Sequence, residues 1–127
     1  MLFVVFFSLA CKKEDVAPLQ QQIVTNDTSS TSGELTVDVK YIQNSTVFDA
    51  GQNANVRLYA TYEDLKNDLF IYNLNTSDRG IAYFGFINIG TYYVYSEYQV
   101  NGSWYKKESA VQIRSQRAEK LTITLQK

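Results

Sequence analysis

The chain has 127 residues, with 12 Lys or Arg against 13 Asp or Glu, and 45% of it is hydrophobic. That length holds one packed domain rather than two, and a net charge of -1 leaves no basic surplus to hold nucleic acid. There is one cysteine and no histidine, which excludes an internal disulfide framework and removes the commonest general base and metal ligand.

Residues 1–10, MLFVVFFSLA, are apolar apart from Ser8. A spanning helix needs about 20 apolar residues, so this run has the length of a signal-peptide core instead. The small residues Ser8 and Ala10 lead directly into Cys11. This order resembles a bacterial lipoprotein signal, in which the peptide is cut just before a cysteine whose sulfur takes a diacylglycerol. The resemblance implies lipidation at Cys11 and membrane attachment through that lipid. Two acyl chains hold a protein stably where one does not. Lys13, Glu14 and Asp15 resemble the lysine-plus-two-acids signal of Bacteroidetes surface lipoproteins, which implies the outer membrane, facing the cell exterior. The other reading of these three is an ordinary solvated charge cluster.

Residues 11–33 begin with that lipidated terminus and continue polar into a Ser/Thr tract without apolar periodicity. They read as a flexible tether with a reach of roughly 25 Å.

From Glu34 to Lys127 the pattern turns to strands. ELTVDVKYI alternates, placing Leu35, Val37, Val39 and Tyr41 on one face. NVRLYAT puts Val56, Leu58 and Ala60 inward and Arg57 and Tyr59 outward. TYEDLKND predicts a helix of about two turns anchored by Leu65. LFIYNLNT predicts a strand, TSDRG a turn, and IAYFGFI and TYYVYSEYQV two more strands. Asn101-Gly102 is the strongest short hairpin signal, so SWYKKESAVQI returns as the partner strand, and KLTITLQ closes the domain with Leu121, Ile123 and Leu125 inward. Seven strands with evenly spaced turns and one short helix predict an all-β, Greek-key β-sandwich over 34–127.

Specific residues carry a family resemblance. Val56-Leu58-Tyr59, the turn from Thr76 to Gly80, and Phe84, Ile87, Gly90 and Tyr92 resemble a recurring theme of transthyretin-like (prealbumin-like) sandwiches. These include carboxypeptidase regulatory-like domains and the collagen-adhesin B-type domains of bacterial surface proteins. Ser77 stands where that theme prefers Asp, and Ser caps the same turn. Some collagen-adhesin B-type domains carry an internal Lys–Asn bond. Lys40 matches the lysine, but the last strand has no asparagine, so no such crosslink is expected. The resemblance implies an adhesion module, a carbohydrate-binding module or a spacer, and fold alone does not choose.

The residues for common catalysis are missing from the pattern. There is no nucleophile–His pairing, phosphate-binding glycine loop or Cys/His cluster, so no catalytic residue, metal site or cofactor is predicted. Glu63, Asp64 and Asp68 lie close in sequence but lack the alternate spacing of a calcium loop and read as a solvated helical turn.

One surface is distinctive. If Tyr92 and Val94 face inward, Tyr93, Tyr95, Glu97 and Gln99 face outward. A two-residue turn at Asn101-Gly102 then pairs Gln99 with Trp104, Glu97 with Lys106 and Tyr95 with Glu108. Tyr93, Tyr95 and Trp104 thus share an outward face, with Tyr95 and Trp104 about 13 Å apart. Flat aromatics among polar groups suit sugar rings or a protein partner; the same rings also stabilise a sheet by packing on neighbours. Two functions stay open. One is a non-catalytic surface lipoprotein that binds a glycan or surface protein through this face. The other is a structural spacer or accessory subunit of an outer-membrane complex with no ligand of its own.

Overall fold

A computed structural model of the chain describes residues 31–127. Strand β1 (Ser32–Gln43) lies at the centre of one sheet. It pairs antiparallel with β2 (Thr46–Asp49) and β5 (Ile81–Asn88), and parallel with β8 (Ala118–Leu125). The second sheet runs in the order β4 (Tyr72–Asn75), β3 (Asn55–Tyr59), β6 (Gly90–Val100), β7 (Ser103–Ile113). Chain order takes β4 across to β5 in the opposite sheet and back to β6 beside β3, a Greek-key path. The two sheets form the β-sandwich that the strand pattern predicts.

Period-two alternation builds the core between them. Leu35, Val37 and Val39 of β1 meet Val56 and Leu58 of β3 and Val94 of β6, all fully buried. Ile123 and Leu125 of β8 seal the layer, and Leu121 packs at its margin. At one end Tyr41 contacts Phe48, Tyr98 and Tyr105, with ring centroids 5.4–5.6 Å apart.

The spacing of Phe84 and Ile87, three residues apart yet both inward, is resolved by a β-bulge. Leu35 pairs Gly85 while Thr36 pairs Tyr83, leaving Phe84 as the extra residue. Gly85 adopts φ +73° at this step. The TSDRG turn forms as read: Ser77 N–H donates to the Ile81 carbonyl at 2.9 Å, and the Ser77 hydroxyl accepts from Arg79 N–H at 3.3 Å. Thr76, ahead of it, is buried. Its hydroxyl donates to the Gly51 carbonyl at 2.7 Å and accepts from Ala54 N–H at 3.0 Å.

Four local expectations are corrected. An eighth strand, β2, follows a turn in which Asn44 and Ser45 both take positive φ, and all four of its residues are exposed. The predicted strand at 69–76 begins only at Tyr72; Leu69, Phe70 and Ile71 are exposed in the approach to it. The helix, α1 (Tyr62–Lys66), is one turn rather than two, and Leu65 is only half-buried. Finally, β3 stops at Tyr59, so Ala60 is exposed rather than inward, while Tyr59 keeps its outward direction and is nevertheless 1% exposed. The segment carrying α1 folds back over it.

Candidate ligand-binding face

The outer face of the β4–β3–β6–β7 sheet is set by two registers. Arg57 of β3 stands opposite Tyr95 of β6, and Tyr95 stands opposite Glu108 of β7. The Asn101-Gly102 hairpin, with φ values of +50° and +82°, pairs Gln99 with Trp104 and Glu97 with Lys106, as a two-residue turn requires. Because Val56, Leu58, Tyr92 and Val94 take the inner face, Arg57, Tyr59, Tyr93, Tyr95 and Glu97 take the outer one.

The excursion between β3 and β4 walls one side of this face. Thr61 caps α1, accepting from Asp64 N–H at 3.0 Å. The chain leaves the helix through Asp68 in the left-handed region, φ +56°, which aims the Asp68 carboxylate back at β3. Tyr59 donates to Asp68 Oδ1 at 2.7 Å, and the Arg57 guanidinium lies 3.2 Å from the same oxygen. Arg57 also reaches Glu97 at 3.5 Å and sits 6.0 Å over the Tyr95 ring, while the Tyr95 hydroxyl donates to Glu97 Oε1 at 3.0 Å.

The result is an open depression of about 530 Å³ lined by Arg57, Tyr59, Leu65, Lys66, Asp68, Tyr95, Glu97 and Glu108. Its two tyrosines stay protonated at neutral pH. Burial, then hydrogen bonding to Asp68, pushes Tyr59 up to about 12; burial, then Glu97, does the same for Tyr95. Burial opposes the Arg57 charge, but the Tyr59 hydroxyl, Asp68 and Glu97 more than offset it and hold the guanidinium above its ordinary value. The Arg57 Nε is buried without a hydrogen-bond partner.

The three aromatics singled out from the sequence lie on this face in three different settings. Tyr93 packs edge-on against Tyr62 of α1, centroids 5.9 Å apart. Tyr95 is half-buried in the floor of the depression beneath Arg57. Trp104 is 52% exposed, beyond the depression towards the hairpin. The expected Glu97–Lys106 neighbours face each other across strands, but Glu97 makes its ion pair with Arg57. Arg57, Glu97 and Glu108 were not singled out as site residues, and Asp68 was weighed only as a calcium acid and read as part of a solvated turn. The outward alternation of Arg57 was legible, but nothing local signalled that Asp68 would fold onto it.

Elsewhere the candidate calcium acids separate. Glu63 pairs with Lys66 at 3.4 Å and Asp68 with Arg57, and no metal-ligating group of three forms among the described residues. Lys40 lies 2.5 Å from Asp49 and 3.7 Å from Asp38, and the hydrogen bond to Asp49 raises its pKa. Its amine is held charged, the wrong state for attack on a side-chain amide. Cys11, Lys13, Glu14 and Asp15 lie outside the described residues. Among the described residues no helix is long and apolar enough to cross a membrane.

Among the solved structures that share the sandwich are three bacterial proteins. A Pseudomonas aeruginosa protein, provisionally described as carbohydrate-binding, superposes with a TM-score of 0.55 at 16% identity over 76% of this chain and 91% of its own. The minor pilin of Streptococcus agalactiae gives 0.57 at 18% identity over 91% of this chain and 50% of its own. The Bacillus anthracis TIE protein gives 0.54 at 20% identity over 76% of this chain and 16% of its own. At these identities the likeness is one of fold. No protein-family model matches the chain, and no curated protein matches it.

Proposed function

We propose that this protein is a non-catalytic binding module, tethered to the outer membrane through a diacylglycerol on Cys11, that holds glycans on the outer face of its β4–β3–β6–β7 sheet. The observation that carries the reading is the depression around Arg57. A tyrosine floor, a guanidinium and three carboxylates converge on one solvent-open hollow of sugar size. Exposed Trp104 extends the same face with an apolar ring and an indole N–H. The fold likeness to a protein described as carbohydrate-binding is in keeping with this.

Glycan-array binding of the wild type against Trp104→Ala and Glu108→Ala tests the face. Signal lost in either variant while the fold persists supports the reading. Signal unchanged in both places any binding elsewhere. The anchor has its own test. A palmitate analogue should label the wild type and not Cys11→Ala; equal absence of label in both removes the anchor.

A second reading, an accessory subunit of a surface complex, is favoured by a different observation. β4 is an edge strand entered through exposed Leu69, Phe70 and Ile71, and such an edge pairs readily with a partner strand. Co-purification of a fixed partner, lost in Phe70→Lys, with no glycan signal, would select it.

A further inference from the structure

Resting on the glycan reading, we infer that the depression around Arg57 takes non-anionic, hydroxyl-rich sugars and turns away sugars bearing carboxylates or sulfates. The inference comes from accounting for each charge and each hydrogen-bonding group in the hollow. Two cations line it against three carboxylates. Both cations are already engaged. Arg57 is bridged between Asp68 and Glu97, 3.2 Å and 3.5 Å away. Lys66 lies 3.4 Å from Glu63 and 5.6 Å from the Tyr62 ring. An incoming anion would meet cations already offset by these carboxylates inside a net negative hollow, and like charges brought together oppose binding. Lys106 stands opposite Glu97 on the hairpin side and does not line the hollow.

The acceptors point the same way. Both tyrosine hydroxyls spend their protons on Asp68 and Glu97. Their raised pKa keeps them from adding charge. Asp68 Oδ1 accepts from both Tyr59 and Arg57, which leaves its other oxygen with no protein donor among the described residues. The carboxylate of Glu108, beside Tyr95 across the strands, likewise has no side-chain hydrogen bond or ion pair among the described residues. The unpartnered Arg57 Nε is buried, so what the hollow chiefly offers is carboxylate acceptors, which ask the ligand for donors. Adjacent sugar hydroxyls supply them in the charge-assisted form that makes the shorter, stronger bonds.

The test uses the full-length chain in detergent micelles against immobilised neutral hexose oligosaccharides and their uronate- and sialate-bearing counterparts. Wild type should bind the neutral set roughly tenfold or more above the anionic set, a modest value for like-charge exclusion, and with little dependence on salt. Glu108→Lys, a change at an exposed strand position, should narrow that ratio at least severalfold, and Glu108→Gln should narrow it less. Anionic sugars binding as well as neutral ones, or a ratio that Glu108→Lys leaves untouched, overturns this inference and leaves the glycan reading standing. No binding to either set overturns both.

Discussion

Tyr59 and Asp68 are joined by a 2.7 Å hydrogen bond that ties the end of β3 to the far side of the helical excursion. It explains how an outward-pointing tyrosine comes to be 1% exposed: the loop carrying Asp68 is drawn down over the ring. Tyr59→Phe keeps the ring and removes the bond, leaving Asp68 with only Arg57. The expected loss is about 1 kcal/mol in urea unfolding. Faster amide exchange over 62–68 should accompany it, because the excursion loses its clasp. Unchanged exchange there would show that the loop is held by α1 packing alone.

Alkaline pH should weaken the fold through the same network. Tyr59 and Tyr95 sit at about 12 in the folded protein against an ordinary 10.0. A group whose pKa is raised on folding contributes stability below its unfolded value and loses it as pH climbs through the folded one. The contribution is thus intact below about pH 10 and falls away between about 10 and 12, by on the order of 2 kcal/mol for buried Tyr59. Urea midpoints across this range, followed with tyrosinate absorbance, check it. The loss should shrink in Tyr59→Phe.

Gly80 and Gly102 both adopt positive φ, +79° and +82°, but differ in surroundings. A Cβ on Gly80 would stand 2.6 Å from the Ala50 carbonyl oxygen and 2.7 Å from that of Val39, whereas one on Gly102 meets nothing within 4 Å. Gly102→Ala should cost about 1 kcal/mol, the left-handed penalty alone. Gly80→Ala should cost clearly more, since backbone atoms must also shift. Equal losses in thermal melts would mean the Gly80 turn relaxes freely.

Trp104 and Tyr105 are neighbours on opposite faces. Trp104 is 52% exposed and Tyr105 3%, with Tyr105 packed edge-on against Tyr41 at 5.4 Å. Trp104→Ala should lower stability by less than about 1 kcal/mol, and Tyr105→Ala by about 3 kcal/mol or more. Sugar binding, in contrast, should weaken severalfold or more in Trp104→Ala, as aromatic anchors do. A large stability loss in Trp104→Ala would remove it as a solvent-facing anchor.

Much of this molecule was legible along the chain, because much of it is set by short-range sterics. The inward set Leu35, Val37 and Val39 follows from period two. The Gln99–Trp104 pairing follows from the two left-handed residues at Asn101-Gly102, and the Ser77 turn from a hydroxyl within reach of its own backbone. What the tertiary structure decided lies at long sequence separation. The parallel pairing of β1 with β8 joins Glu34 to Ala118, and no local period encodes which strand takes an edge. The depression depends on Arg57 meeting Asp68 eleven residues away and Glu97 forty away. Alternation aimed Arg57 and Tyr59 outward, but whether an outward residue meets water or a carboxylate was decided only when the excursion folded back across the sheet.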